Sequence, residues 1–161
     1  MEKERSSGFI IFRKNPKPEF LVLHYEEGHW DFPKGKLEKN ETPLQAAFRE
    51  LEEETSISRK DARIIPGFRH KIDYFFRRKG KPVFKEVDFF LAQTDAKKVI
   101  LSKEHIAFKW LPFNKSLSRL TFENAKNSLK KASAFISGKK PSAAKKAGKK
   151  PAERKKRAGK N

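Results

Sequence analysis

Four glutamates, Glu50, Glu52, Glu53 and Glu54, crowd into one short stretch of an otherwise strongly basic chain. The stretch reads as a helix over Pro43–Thr55. Thr42 can cap its N-terminus, Pro43 suits the first helical position, and Gln45 completes a capping box. At helical spacing Leu44, Ala47, Phe48 and Leu51 form one apolar stripe. Glu50, Glu53 and Glu54, at i, i+3 and i+4, then share a neighbouring face. Three carboxylates placed so closely repel one another unless a cation neutralises them. An all-oxygen donor set suits Mg²⁺ or Mn²⁺. Arg49 can pair with Glu53 one turn on and orient it. Taken alone, such an acidic string is more often a solvated helix face.

Elements on either side of this helix must hold it. Gly8–Phe12 (GFIIF) and Phe20–His24 (FLVLH) read as strands, and Asn15–Pro18 (NPKP) between them carries turn chemistry, so a hairpin is expected. Residues 28–41 read as a loop rich in Gly, Pro and charge. Residues 62–76 and 83–93 are rich in β-formers and flank a Lys79-Gly80 turn. Residues 106–111 make another short strand. Thr121–Ile136 reads as a second helix, with Phe122, Ala125, Leu129, Ala132 and Ile136 at helical spacing. Strands with two helices predict a layered, mixed α/β (α+β) domain.

The chain of 161 residues is 36% hydrophobic and has a formal net charge of +19. That length supports one compact domain. The segment Gly138–Asn161 holds eleven Lys or Arg and one acid, Glu153, and so carries about half of the net charge. It has almost no large apolar residue, so residues 138–161 are expected to be a disordered basic tail on a domain of residues 1–137. Basic surfaces attract polyanions, which makes non-specific RNA or DNA contact through this tail a reasonable expectation; a simple solubility appendage is an equal alternative. With no cysteine, disulfides, Cys-ligated zinc and thiol catalysis are excluded. The charged N-terminal MEKERSSGFI does not resemble a secretory signal, and no apolar run has the length of a membrane span. The expected setting is the cytoplasm, with nuclear or nucleoid association through the tail as a variant, and the expected state is a monomer.

The spacing around the acidic helix resembles the box of the Nudix hydrolases. Gly35 is followed after five residues by Glu41, and after seven more by Arg49-Glu50-Leu51-X-Glu53-Glu54. The resemblance implies a Nudix-type α/β/α sandwich with a mixed sheet, and a loop–helix–loop whose glutamates bind divalent cations. Glu50, Glu53 and Glu54 would be metal ligands, Arg49 an orienting partner, and Gly35 the residue that opens the loop. The family usually has Gly where this chain has Asn40 and Ser56. Both positions are expected to be left-handed, which Asn tolerates and Ser adopts at a cost of roughly 1 kcal/mol.

Flanking residues are similar to those of the asymmetrical diadenosine tetraphosphate hydrolases within that family. These are His29 through Lys36 (HWDFPKGK), Pro66-Gly67-Phe68 through Tyr74, the Lys81-Pro82-Val83 region, Asp88 to Leu91, and Ser102-Lys103-Glu104-His105 through Leu111. The resemblance implies that Lys34 and Lys36 bind a polyphosphate, and that His29, Tyr74 and Lys81 contact phosphates. It implies a further carboxylate at Glu104, as metal ligand or general base, and stacking of Phe122 on an adenine. Phe122 also fits the apolar stripe of its own helix, which makes core packing an equal reading. Trp30 and Trp110 read as packing residues; His24, His70 and His105 lack metal-ligand spacing and receive no catalytic role. The implied activity is Mg²⁺-dependent hydrolysis of dinucleoside polyphosphates, diadenosine tetraphosphate to ATP and AMP, with Glu53 or Glu104 as base. The alternatives are an RNA 5′ pyrophosphohydrolase and a non-catalytic nucleic-acid-binding protein on the same scaffold.

Overall fold

The computed structural model describes residues 1–138. The basic segment after Gly138, and the expectation of disorder there, lie outside the described residues. The spine is β1 (Glu2–Lys14), a strand far longer than the apolar run at its C-terminal half. It pairs in parallel with β6 (Lys81–Thr94), from Glu2 opposite Val83 to Phe12 opposite Gln93. β5 (Ala62–Arg78) closes the sheet on that side through a long antiparallel hairpin with β6. On its other side β1 meets two partners in succession. β2 (Pro18–Tyr25) pairs with Phe12–Lys14, as the NPKP turn predicts, and β4 (Lys34–Lys36) pairs with Ser6–Gly8. β2 in turn carries β3 (Trp30–Asp31) and β7 (His105–Pro112).

Strand alternation sorts the apolar residues onto two faces. Phe9, Ile11, Leu21, Leu23, Phe90 and Ala92 face α1 (Pro43–Thr55) and pack on its Ala47, Phe48 and Leu51. Ile10, Phe12, Phe20, Val22, Phe89 and Leu91 face the opposite way, onto Ala125, Leu129 and Ala132 of α3 (Glu123–Ile136). The result is the expected α/β/α sandwich. A short helix, α2 (Phe113–Arg119), and a 3-10 turn at Arg59–Asp61 complete the described elements. No helix among them is long and apolar enough to cross a membrane.

Three expectations are corrected. Residues 28–41 are not wholly loop, because they contain β3 and β4. α2 had not been anticipated: its seven residues carry no side-chain cap. The last helix begins at Glu123, leaving Phe122 as its cap and 51% exposed. The Trp30 N–H donates to Thr121 Oγ1 (2.8 Å) and the Thr121 N–H to the Trp30 carbonyl (3.2 Å), which ties the chain to β3 just before the helix begins.

Leu51 and Leu129 are both fully buried, in clusters on opposite faces of the sheet. Truncating either to Ala should cost about 2–5 kcal/mol in urea unfolding. With no shared partners, the double variant should lose the sum to within about 0.5 kcal/mol. Strong coupling would contradict the two-core description.

Candidate active site

α1 starts as the sequence requires. The Gln45 N–H donates to Thr42 Oγ1 (3.1 Å), and the Thr42 N–H to the Gln45 side-chain oxygen (2.9 Å). It ends at Ser56, whose φ of 64° is left-handed; Asn40, before the helix, has the same φ. The anticipated left-handed backbone is therefore present at both positions, and its cost falls on Ser56.

The sheet aims a loop at this helix. Gly8 on β1 lies so near Pro33 and Lys34 that a Cβ would overlap them, and the Phe9 N–H donates to the Pro33 carbonyl (3.2 Å). That close approach places Lys34-Gly35-Lys36 directly over α1. A Cβ on Gly35 would occupy the space of the Glu50 carboxyl group. Glycine is required there for proximity, since no positive φ is involved.

Arg49 ties loop and helix together. Its Nε and Nη2 donate to the two oxygens of Glu41 (2.7 and 3.0 Å), Nη1 to Glu50 Oε2 (2.8 Å), and Nη2 to the Lys36 carbonyl (2.9 Å). The anticipated contact with Glu53 is the longest of the set, at 3.3 Å. Sequence reasoning gave Glu41 no partner. Arg49 and Glu41 are eight residues apart and meet only because the loop folds back. The fork of Arg49 holds the Glu41 carboxyl below the usual carboxylate range.

Glu54 is buried, 4% exposed, beside Glu50. It accepts from the Lys34 N–H (3.2 Å). Burial, and then the adjacent Glu50 carboxylate, push its pKa up to about 9. His105 Nδ1 bonds Ser102 Oγ (2.9 Å), while its buried Nε2 has no partner among the described residues and lies 3.7 Å from Glu54 Oε1. Glu53 reaches outward, with its side chain 59% exposed. Glu104, in the loop before β7, lines the same cleft of about 500 Å³ together with Lys34, Lys36, Arg49, Glu50, Glu53 and Glu54.

Among the described residues no three carboxylates or imidazoles already converge as a formed metal site. Arg49 engages Glu50 and Glu53, so those side chains must turn from it to share a cation. The donor chemistry nevertheless fits one. A buried Glu54 pressed against Glu50 at neutral pH needs either a proton or a positive charge between them, and the set is all-oxygen.

A second, more apolar cleft of about 480 Å³ meets the first at Lys34 and is lined by Tyr74, Phe76, Phe122 and Ile72. Lys34 is mostly buried, with Nζ 3.5 Å from Asp31 Oδ2. Burial works to lower its pKa, but Asp31, Tyr74 and Glu54 outweigh it and hold it raised, so the ammonium stays charged. His29 stacks on Tyr25 (4.5 Å between centroids) and tilts against Phe122 (5.4 Å), close to this cleft but not in its wall. Lys81 stands at the exposed tip of the β5–β6 hairpin opposite Arg78 and lines neither cleft. Lys85 is instead the inward lysine of β6. It lies directly across from Tyr74, and its own lowered pKa reflects burial first and then the nearby Lys34 charge. Counting hairpin register outward from Lys79-Gly80 could have found it. Glu4, buried in β1, collects Arg78 (2.6 Å), Lys85 (3.1 Å) and Lys36 (3.6 Å). Burial acts to raise its pKa, but these cations prevail and lower it to about 2. A single carboxylate thereby gathers lysines from two strands beside the acidic cleft.

Comparison with known proteins identifies the family and the fold. The NUDIX domain model matches residues 4–132. The chain is 34% identical over 143 residues to the asymmetrical bis(5′-nucleosyl)-tetraphosphatase of Rattus norvegicus, covering 82% of this chain and 95% of that protein. It superposes on the crystal structure of a C. elegans Ap4A hydrolase binary complex with a TM-score of 0.76 and 33% identity, covering 84% of this chain and 98% of the other. An RNA pyrophosphohydrolase of Vibrio vulnificus is 30% identical over 125 residues, covering 78% of this chain and 62% of that enzyme. The chain belongs to the Nudix hydrolase family.

Proposed function

We propose that this hydrolase cuts dinucleoside polyphosphates, taking diadenosine tetraphosphate to ATP and AMP by attack of water on phosphorus, with Mg²⁺ or Mn²⁺ as cofactor. One observation carries the reading: an acidic cleft and an aromatic cleft share Lys34 as a common wall. A polyphosphate in the first and a nucleoside in the second would be joined at that ammonium. The similarity to the rat tetraphosphatase over most of both chains supports the same substrate class.

Glu50, Glu53 and Glu54, with Glu104 across the cleft, would hold the cation. When bound, it supplies positive charge to phosphate oxygens that otherwise repel an incoming nucleophile. The chain's own groups do the rest. Lys34, held charged by Asp31, fixes the polyphosphate, and Lys36 extends the cationic wall, with Lys85 sharing its Glu4 partner behind it. Phe122 and Tyr74 offer aromatic surface to an adenine. His29, whose pKa burial lowers, packs its ring against Phe122. Glu53 or Glu104, both exposed at the cleft, accepts the proton of the attacking water. Arg49 keeps the loop and helix in register throughout.

The RNA 5′ pyrophosphohydrolase reading remains as a second possibility because of the Vibrio relative. Side-by-side kcat/KM values on diadenosine tetraphosphate and 5′-triphosphorylated RNA rank the two, and a preference for the RNA would overturn the first reading. Glu53→Gln should lower kcat by at least about a hundredfold while leaving the unfolding transition in place. Near-normal turnover contradicts the site. Gly35→Ala should displace the Glu50 carboxyl and cost about a hundredfold in kcat/KM; wild-type kinetics in that variant would show that the loop does not hold the acid in place.

A further inference from the structure

A third cleft, of about 500 Å³, continues from the aromatic one. It runs between β5 and α3 and is lined by His70, Lys71, Ile72, Asp73, Asn124, Asn127, Lys130 and Lys131. Ile72 and Asn124 line both, so the two clefts are continuous. Its direction follows from the residues: Tyr74 and Phe122 stand at the site end, His70 and Lys131 further on. Phe68 and Phe135 pack together beyond them (5.5 Å). The groove therefore points towards the end of α3, after which the chain carries its eleven Lys and Arg. Lys71, Lys130 and Lys131 are exposed, and Asp73 is the one acid in the lining.

His70 gives the groove a more specific chemistry. Burial, and then the Lys131 charge, lower its pKa to about 4, so it is neutral at physiological pH. Ser128 Oγ donates to the Asn124 carbonyl (3.0 Å) and lies 2.9 Å from His70 Nδ1. With its proton committed, the hydroxyl can only accept, so Nδ1 carries the hydrogen. Nε2 is then an acceptor, with no partner among the described residues and not fully enclosed. An acceptor between cations and two amides suits a strand that offers phosphates together with hydroxyl donors.

We propose that the groove between β5 and α3 binds single-stranded RNA running on from a nucleoside seated in the aromatic cleft. Lys71, Lys130 and Lys131 would contact its phosphates, and His70 and the two asparagines its ribose hydroxyls and base edges. The substrates of the acidic cleft then include oligoribonucleotides with a 5′ polyphosphate, which rests on the reading of that cleft given above. The 2′-hydroxyl is the group by which a protein distinguishes RNA from DNA at such a position.

The test uses the full chain and the combined variant Lys71→Gln, Lys130→Gln and Lys131→Gln. A charge-matched control replaces Lys60, Lys97 and Lys98, which line a separate cleft. Binding of a short single-stranded RNA is followed by fluorescence anisotropy against salt, and hydrolysis is compared on diadenosine tetraphosphate and on the same RNA with a 5′ polyphosphate. The groove variant should bind RNA about tenfold more weakly, with its salt slope reduced by about 2 for three lost phosphate contacts. Its kcat/KM should fall on the RNA substrate and stay within about twofold on the dinucleotide. Equal losses in groove and control variants, unchanged RNA binding in the groove variant, or equal affinity for DNA of the same sequence would overturn the proposal. Failure of the catalytic reading shows separately, as no hydrolysis of either substrate while groove-dependent RNA binding persists.

Discussion

Glu54 is buried beside a second carboxylate, and the rest of the site is arranged around that placement. Two acids side by side in a water-poor pocket strongly disfavour double ionisation. The fold supplies fixed compensation on three sides: the Lys34 N–H to Glu54, the Arg49 guanidinium to Glu50, and the Lys34 ammonium held nearby by Asp31. What it leaves uncompensated is a demand for positive charge at the cleft. Glycine at position 35 leaves the Glu50 carboxyl where it is, since a Cβ there would displace it. The loop backbone is drawn close enough to the Glu50 carboxyl that no side chain fits between them.

The larger architecture serves this arrangement. β1 is fully paired on one side by β6, while on the other it is shared between β4 and β2. The gap between those two partners is where the chain crosses from Asp31 to Lys34, and the Gly8–Pro33 contact pins it there. Lysines from β4 and β6 converge on the buried Glu4. The acidic cleft is thus walled by cations, in a protein whose overall charge of +19 draws polyanions towards it. The aromatic cleft receives Phe122 because Thr121 is tied to Trp30, which stops α3 from starting a turn earlier.

Much of this was legible in the sequence where the causes are local. The start of α1 follows from Thr42, Pro43 and Gln45, and the observed left-handed positions at Asn40 and Ser56 are those the family resemblance implies. Short continuous apolar runs marked the core of β1, β2 and β6. Features set by distant partners were not legible. The first half of β1, EKERSS, is polar and lies outside the strand expected at Gly8–Phe12; it is a strand because β6 pairs with it and three cations neutralise Glu4. β3 and β4 are too short to show a period. Phe122 fits a helical stripe by spacing, yet a tertiary hydrogen bond excludes it from the helix. Lys85 shows no local signal of its own, since only the hairpin register counted back from Lys79-Gly80 sets it opposite Tyr74.

The proposed work of the acidic cleft is to direct water to one end phosphorus of a dinucleoside tetraphosphate. Hydrolysis of diadenosine tetraphosphate in ¹⁸O-labelled water, with Mg²⁺ or Mn²⁺ present or chelated, tests it most directly. The account predicts cation-dependent formation of ATP and AMP with the label confined to one of the two products. Two molecules of ADP, or turnover that persists undiminished in chelator, would contradict it.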